Sequence, residues 1–160
     1  MRYLVILLTA LAGPALAQQS ELAAGRSLYL SGDFKAAAAH LQLALAAEPR
    51  SAESNYWLGR SYETLGDIAT PFGRKYRSLA RTYLNKAAEL APGRSEYRHE
   101  LFEFLLDSGD RQSARRLLLT AAESDPDYDF MLSRFEDTQR LNSSLKGRLT
   151  WIFQLVTAWH

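Results

Sequence analysis

Three Gly-Asp pairs (Gly32-Asp33, Gly66-Asp67, Gly109-Asp110) and three prolines (Pro49, Pro92, Pro126) recur along the chain in a fixed relation. Pro92 to Pro126 and Gly32 to Gly66 are each 34 residues, and the 17-residue step from Gly32 to Pro49 returns between Gly109 and Pro126. The intervals Gly66 to Gly109 and Pro49 to Pro92 are each 43 residues, so the second unit carries nine extra, near 68–76. A period of this length restricts the chain to stacked supersecondary units. One such unit cannot bury its own apolar face and needs the next unit to cover it.

Each unit reads as two helices. The first closes at the Gly, which tolerates the left-handed conformation, and the following Asp caps the second by accepting backbone N–H bonds. In the second unit the extra residues displace that cap, and Thr70-Pro71 offers a new helix start, since proline fits a first turn. The second helices align as Ala37/Leu41/Ala44, Ala80/Leu84/Ala87 and Ala114/Leu118/Ala121. This i, i+4, i+7 spacing puts one apolar stripe on one face, with small Ala permitting close approach and Leu filling the gap. A proline follows each second helix and stops it.

These residues resemble the tetratricopeptide repeat, whose pattern runs W-x2-L-G-x2-Y…A-x3-F…P. The second unit is nearest to it, with Leu58-Gly59, Tyr62, Leu65-Gly66-Asp67, Ala80, Leu84, Ala87 and Pro92. The first keeps Gly25, Leu28, Gly32-Asp33, Ala37, Leu41, Ala44 and Pro49. The third keeps Leu101, Leu105, Gly109-Asp110, Ala114, Leu118, Ala121 and Pro126. Glu21, Asn55 and Arg98 replace the early Trp of the pattern, and Phe102 stands where a small Gly is usual. The expected fold is all-α: a short right-handed solenoid of three helix pairs over residues 18–51, 52–94 and 95–128, closed by capping helices over 129–160. In that last segment Met131, Leu132 and Phe135 stand where a further first helix would bury its face. A final amphipathic helix then carries Leu145, Leu149, Ile152, Phe153, Val156 and Trp159, and either folds back as a cover or meets a membrane or partner.

The chain opens with Arg2, an apolar run from Tyr3 to Ala12, a Gly13-Pro14 break and Ala15-Leu16-Ala17. This is the layout of a secretory leader with cleavage after Ala17. The apolar run is about half of the roughly 20 residues that a spanning helix needs. The expected location is therefore outside the cytoplasm, most simply a bacterial periplasm.

Composition narrows the chemistry. With no Cys, disulfides, thiolate metal sites, Cys nucleophiles and lipoprotein acylation are excluded. The formal charge of +1 falls to zero once Arg2 leaves with the leader, which argues against a general nucleic-acid binder. No nucleophile elbow, zinc-binding helix or phosphate loop is present. Glu96, His99 and Glu103 share one helix face, as metal ligands do in carboxylate-bridged bundles. A second such helix is missing, and His40 has only aliphatic and Ala neighbours along the chain. No catalysis, cofactor or metal is expected.

The resemblance implies that the first helix of each pair lines a concave surface, which here places Arg26, Tyr29, Glu53, Tyr56, Arg60, Glu63, Glu96, His99 and Glu103 in the groove. Arg26 and Arg60 hold one repeat position and can grip a carboxylate in bidentate fashion, while Tyr offers rigid apolar area. This suits an extended peptide or chain terminus of a protein partner in the cell envelope, with the acidic residues of the third unit selecting a basic portion. The Lys/Asn carboxylate clamp of chaperone-binding relatives is absent; its positions hold Leu22, Arg26, Trp57 or Arg60, Glu96 and Glu100. A second surface is the basic run Arg74, Lys75, Arg77, Arg81 and Lys86, interleaved with Phe72, Tyr76 and Tyr83. It is suited to anionic headgroups, an acidic partner, or the acidic run Glu123, Asp125, Asp127 and Asp129. Peripheral membrane docking through this segment and the Trp-bearing tail is the alternative to groove binding.

Overall fold

The structure, a computed structural model, describes residues 19–69, 71–123, 128–129, 131–140, 142–143 and 146. The leader, Thr70 and the Trp-bearing tail lie outside the described residues. The described helices are α1 (residues 19–30), α2 (Phe34–Ala47), α3 (Ala52–Ile68), α4 (Arg74–Leu90), α5 (Ser95–Asp107), α6 (Arg111–Ala122) and α7 (131–140). No strand occurs among the described residues. The chain divides into two compact units between Ser108 and Gly109, inside the third sequence repeat.

The first unit is an all-α solenoid in which α2 packs on α3, α3 on α4 and α4 on α5. Its core is the stripe read from the sequence. Ala37, Leu41, Ala44, Ala80, Leu84 and Ala87 are all completely buried. Each Leu rests on the bare backbone of a glycine in the paired first helix. A Cβ on Gly25 would lie 2.5 Å from Leu41 Cγ, and one on Gly59 2.8 Å from Leu84 Cγ. Burying such a Leu stabilises the pair by about 1.5–3 kcal/mol.

The start of α2 follows the expected chemistry. Gly32 takes φ +89°, and Asp33 accepts from the Ala36 amide at 3.0 Å. Ser51 caps α3 in the same way, accepting from Ser54 N at 3.3 Å.

The inserted repeat departs from the sequence reading in two respects. Gly66 does not close its helix, because α3 runs on to Ile68; nor does Thr70-Pro71 open the next, because 71–73 form a turn and α4 starts at Arg74. The reason is a second close crossing. Gly66 and Gly73 face each other so tightly that a Cβ on Gly73 would collide with the Gly66 carbonyl oxygen. Asp67, freed from capping, instead accepts from Arg77 Nη2 at 2.7 Å across the turn. In repeat register the nine extra residues add four to α3, three to α4 and two to the connection. The insertion is thus about one more turn on each helix.

In the second unit Gly109 takes φ +74° and Asp110 caps α6 through the Ser113 amide at 3.0 Å. Ala114, Leu118 and Ala121 are buried, and Met131, Leu132 and Phe135 on α7 are half-buried. Arg115 Nε donates to Glu136 Oε1 at 2.9 Å and joins α6 to α7.

Replacing a helical Gly by Ala ordinarily gains about 1 kcal/mol of helix propensity. At Gly59 the sign reverses: Gly59→Ala is expected to cost about 1–3 kcal/mol through overpacking against Leu84. Gly93, where an added methyl would meet nothing within 4 Å, accepts Ala within about 0.5 kcal/mol. Thermal melts of the two variants side by side check this; equal melting temperatures would refute the Gly–Leu contact as the spacing element.

Candidate functional site

The first helices α1, α3 and α5 share one face, and their aromatic side chains, joined by Phe34 at the start of α2, form a continuous run. Tyr29 lies 5.3 Å from both Phe34 and Trp57, Trp57 lies 5.2 Å from Tyr56, and Tyr56 stacks on Tyr97 at 4.7 Å. Tyr56 and Tyr97 are buried and serve the packing of α3 on α5, whereas Tyr29 and Trp57 are half-exposed.

The two arginines at equivalent repeat positions each reach across to a ring of the neighbouring first helix. Arg26 of α1 stands 5.4 Å over Trp57 of α3, and Arg60 of α3 stands 5.7 Å over Tyr29 of α1. Such contacts are worth about 0.5–1 kcal/mol when exposed and more when desolvated. Their ionic surroundings differ. Arg26 has a side chain 55% exposed and a loose Glu53 neighbour at 3.9 Å. Arg60 donates from Nη1 to Glu100 Oε2 at 2.7 Å, and its Nε lies 3.4 Å from Glu63 Oε2. That second contact is within ion-pair distance but lacks an aligned hydrogen bond. Arg60 Nη1 also approaches the Tyr56 hydroxyl at 3.4 Å. The bidentate grip expected of Arg60 is therefore already spent within the protein, and only Arg26 remains open to a ligand.

Glu63 is the most perturbed group of this face. Burial, with the side chain 18% exposed, raises its carboxyl to about 7, and the Glu100 charge adds to the rise against the opposing pull of Arg60. Protonated Glu63 shares a hydrogen bond with Glu100. For Arg60, burial works against the charge, but Glu100 and the surrounding hydroxyls outweigh it and hold the guanidinium more firmly protonated. Burial likewise raises Tyr56 and Tyr97.

Of the residues read from the sequence, Arg26, Tyr29, Glu53, Tyr56, Arg60 and Glu63 come together here. Glu96 pairs loosely with Arg94 at 4.0 Å, while His99 and Glu103 stay exposed on α5 and join none of these contacts. Trp57, Tyr97 and Glu100 are the members that sequence reasoning missed. His40 is not isolated: its Nδ1 lies 2.7 Å from Glu21 Oε2 between α2 and α1. Among the described residues no group of three or more His, Asp or Glu is arranged to hold a metal ion. An open cavity of about 460 Å³ adjoins Arg26 and Glu53, lined also by Gln19, Leu22, Ala23, Ser27 and Leu30.

The basic run lies on α4 and does not form one stripe. At 3.6 residues per turn Arg74, Arg77 and Arg81 follow one another on one face, and Lys75 and Lys86 fall on another. Arg77 pairs with Asp67, and Arg74, Lys75 and Lys86 are exposed. On the opposite edge Tyr62 stacks with Tyr76 and Tyr83 at 6.0 and 5.8 Å, and its hydroxyl accepts from Gln42 at 2.6 Å. No described helix is long and apolar enough to cross a membrane.

A protein-family model described as a tetratricopeptide repeat matches residues 22–70. Residues 22–70 belong to the tetratricopeptide repeat family. Among solved structures, a mutant O-GlcNAc transferase of Thermobaculum terrenum superposes with a TM-score of 0.57 at 27% identity, over 72% of this chain and 20% of that one. The chain thus spans about a fifth of that protein's length. The type III secretion translocator chaperone SycD of Yersinia enterocolitica matches with a TM-score of 0.57 at 17% identity, over 81% of this chain and 85% of that one, a likeness of fold. No curated protein is significantly similar in sequence.

Because the folded Glu63 carboxyl titrates near 7 and the unfolded one near 4.5, the native state binds the extra proton between these values. Stability is therefore highest below pH 4.5 as far as this group is concerned, and falls as pH rises to about 7, by up to about 3 kcal/mol. Glu63→Gln removes the titration. Urea unfolding of the two proteins across this range should show the variant gaining on the wild type as pH rises; parallel curves would refute the assignment.

Proposed function

We propose that this chain is an exported tetratricopeptide-repeat module without chemistry of its own, which holds an extended segment of a partner protein along the face shared by α1, α3 and α5. The observation that carries the reading is the half-exposed Tyr29–Trp57 pair, with Arg26 above it and an open cavity beside it. Rigid rings give a partner's backbone and side chains apolar area at little entropic cost, and Arg26 with Glu53 adds one charge of each sign at the rim. The repeat family supports a protein-binding role. The leader, with its short apolar run and Ala15-Leu16-Ala17, supports export to the periplasm.

The internal role of Arg60 decides how the reading is tested. Truncating Arg60 would leave Glu63 and Glu100 half-buried without their cation, so an Arg26/Arg60 double variant confuses binding with stability. Arg26 and Leu30 are better probes, since both are exposed. Arg26→Ala/Leu30→Ala is expected to lower affinity for a captured envelope protein about tenfold while the melting temperature falls by no more than a few degrees, the share of the Arg26–Trp57 contact. Pull-down from envelope extract with wild type and variant in parallel, followed by titration of the retained protein, is the measurement. Retention of the same proteins by both would sink the groove reading. Export has its own check: the N-terminal sequence of the protein recovered from cells should begin at Gln18, and a chain still beginning at Met1 in the cytoplasm would remove that part.

A further inference from the structure

The nine-residue insertion supplies about one additional turn on each of α3 and α4, and both helices are already packed through their Gly59–Leu84 contact without it. What the extension adds is a tip. Ile68, the last residue of α3, is 65% exposed, and Phe72, in the turn, is 82% exposed. At the base of the tip Gly66 meets Gly73 and Arg77 reaches Asp67.

Charge accompanies the apolar pair. Arg74, Lys75 and Arg77 follow within the first turn of α4 and are exposed, and no carboxylate occurs between Asp67 and Glu89. Cations in a first helical turn face the positive end of the macrodipole, where acidic residues are favoured. This helix also lacks the side-chain cap that Asp33 and Asp110 give to α2 and α6. The local arrangement therefore works against the isolated protein on three counts: two exposed large apolar residues, two cations, Arg74 and Lys75, at a helix start with no carboxylate contact among the described residues such as Arg77 makes, and a terminus without a side-chain cap. An anionic, apolar-backed surface relieves all three.

We propose that the α3–α4 tip docks on an anionic membrane surface, with Ile68 and Phe72 entering the headgroup–acyl boundary and Arg74 and Lys75 meeting lipid phosphates. Short apolar wedges flanked by basic residues bind in this manner without spanning the bilayer, and their affinity combines buried apolar area with attraction to anionic lipid. The proposal goes beyond the groove reading and uses none of its residues.

Flotation of the full chain with phosphatidylcholine vesicles, with and without phosphatidylglycerol, tests it. Binding should require phosphatidylglycerol and weaken with added salt. Ile68→Ser/Phe72→Ser and Arg74→Glu/Lys75→Glu should each reduce it by about tenfold or more. These positions are exposed, so circular dichroism and melting temperature should match wild type, and Arg26→Ala/Leu30→Ala should float like wild type. Vesicle binding that is absent, indifferent to anionic lipid, or equal in wild type and tip variants would overturn the proposal. So would loss of an envelope protein's binding in the tip variants without any vesicle binding.

Discussion

The distance between the two helices of a pair is set by a leucine lying on a glycine. Leu41 meets Gly25, and Leu84 meets Gly59, with no room for a Cβ at either glycine. Everything on the first-helix face depends on that distance. With α2 and α4 drawn in close behind them, α1, α3 and α5 stand near enough for Tyr29 to reach Trp57 and for Tyr56 to stack on Tyr97. Close packing of this kind tolerates little change in volume, so the face inherits the rigidity of the core behind it.

The same device explains how the second repeat absorbs its extra residues without breaking the stack. A long insertion between packed helices could loop out. Here it continues both helices instead, because Gly66 and Gly73 repeat the bare-backbone crossing one level further on. Repeat stacks make contact only with their neighbours. An extension at the turn of one pair therefore adds new surface and leaves the Leu84 contact unchanged.

The repeat arrangement was legible because its signals are local or periodic. The Ala/Leu stripes need only 3.6-residue geometry, and Asp33 and Asp110 cap helices within three residues of themselves. The boundaries of α3 and α4 were not legible. Gly66 followed by Asp67 carries the same stop signal as the other pairs, and only the facing Gly73 shows that the helix continues. The site was legible in part. Family periodicity pointed to Arg26, Tyr29 and Arg60, but whether an arginine on that face is free or occupied depends on a partner 40 residues away, Glu100. Nor does periodicity separate Tyr56, buried in packing, from Trp57 beside it, which is half-exposed.

That difference between the two arginines bears on how the face shared by α1, α3 and α5 is built. Arg60 is half-enclosed with two carboxylates, one of which keeps its proton near neutrality, so the cluster carries less charge than its formula suggests. Removing one partner from such a cluster costs far more than the cluster contributes while intact. It therefore acts as a fixed joint between α3 and α5 and offers little to a ligand. Arg26, one repeat earlier, has the equivalent position and a ring contact of its own, over Trp57, but only a loose acidic neighbour. Two equivalent positions have thus taken different tasks: one holds the face together, and the other leaves a guanidinium at its rim, beside the open cavity and the two half-exposed rings.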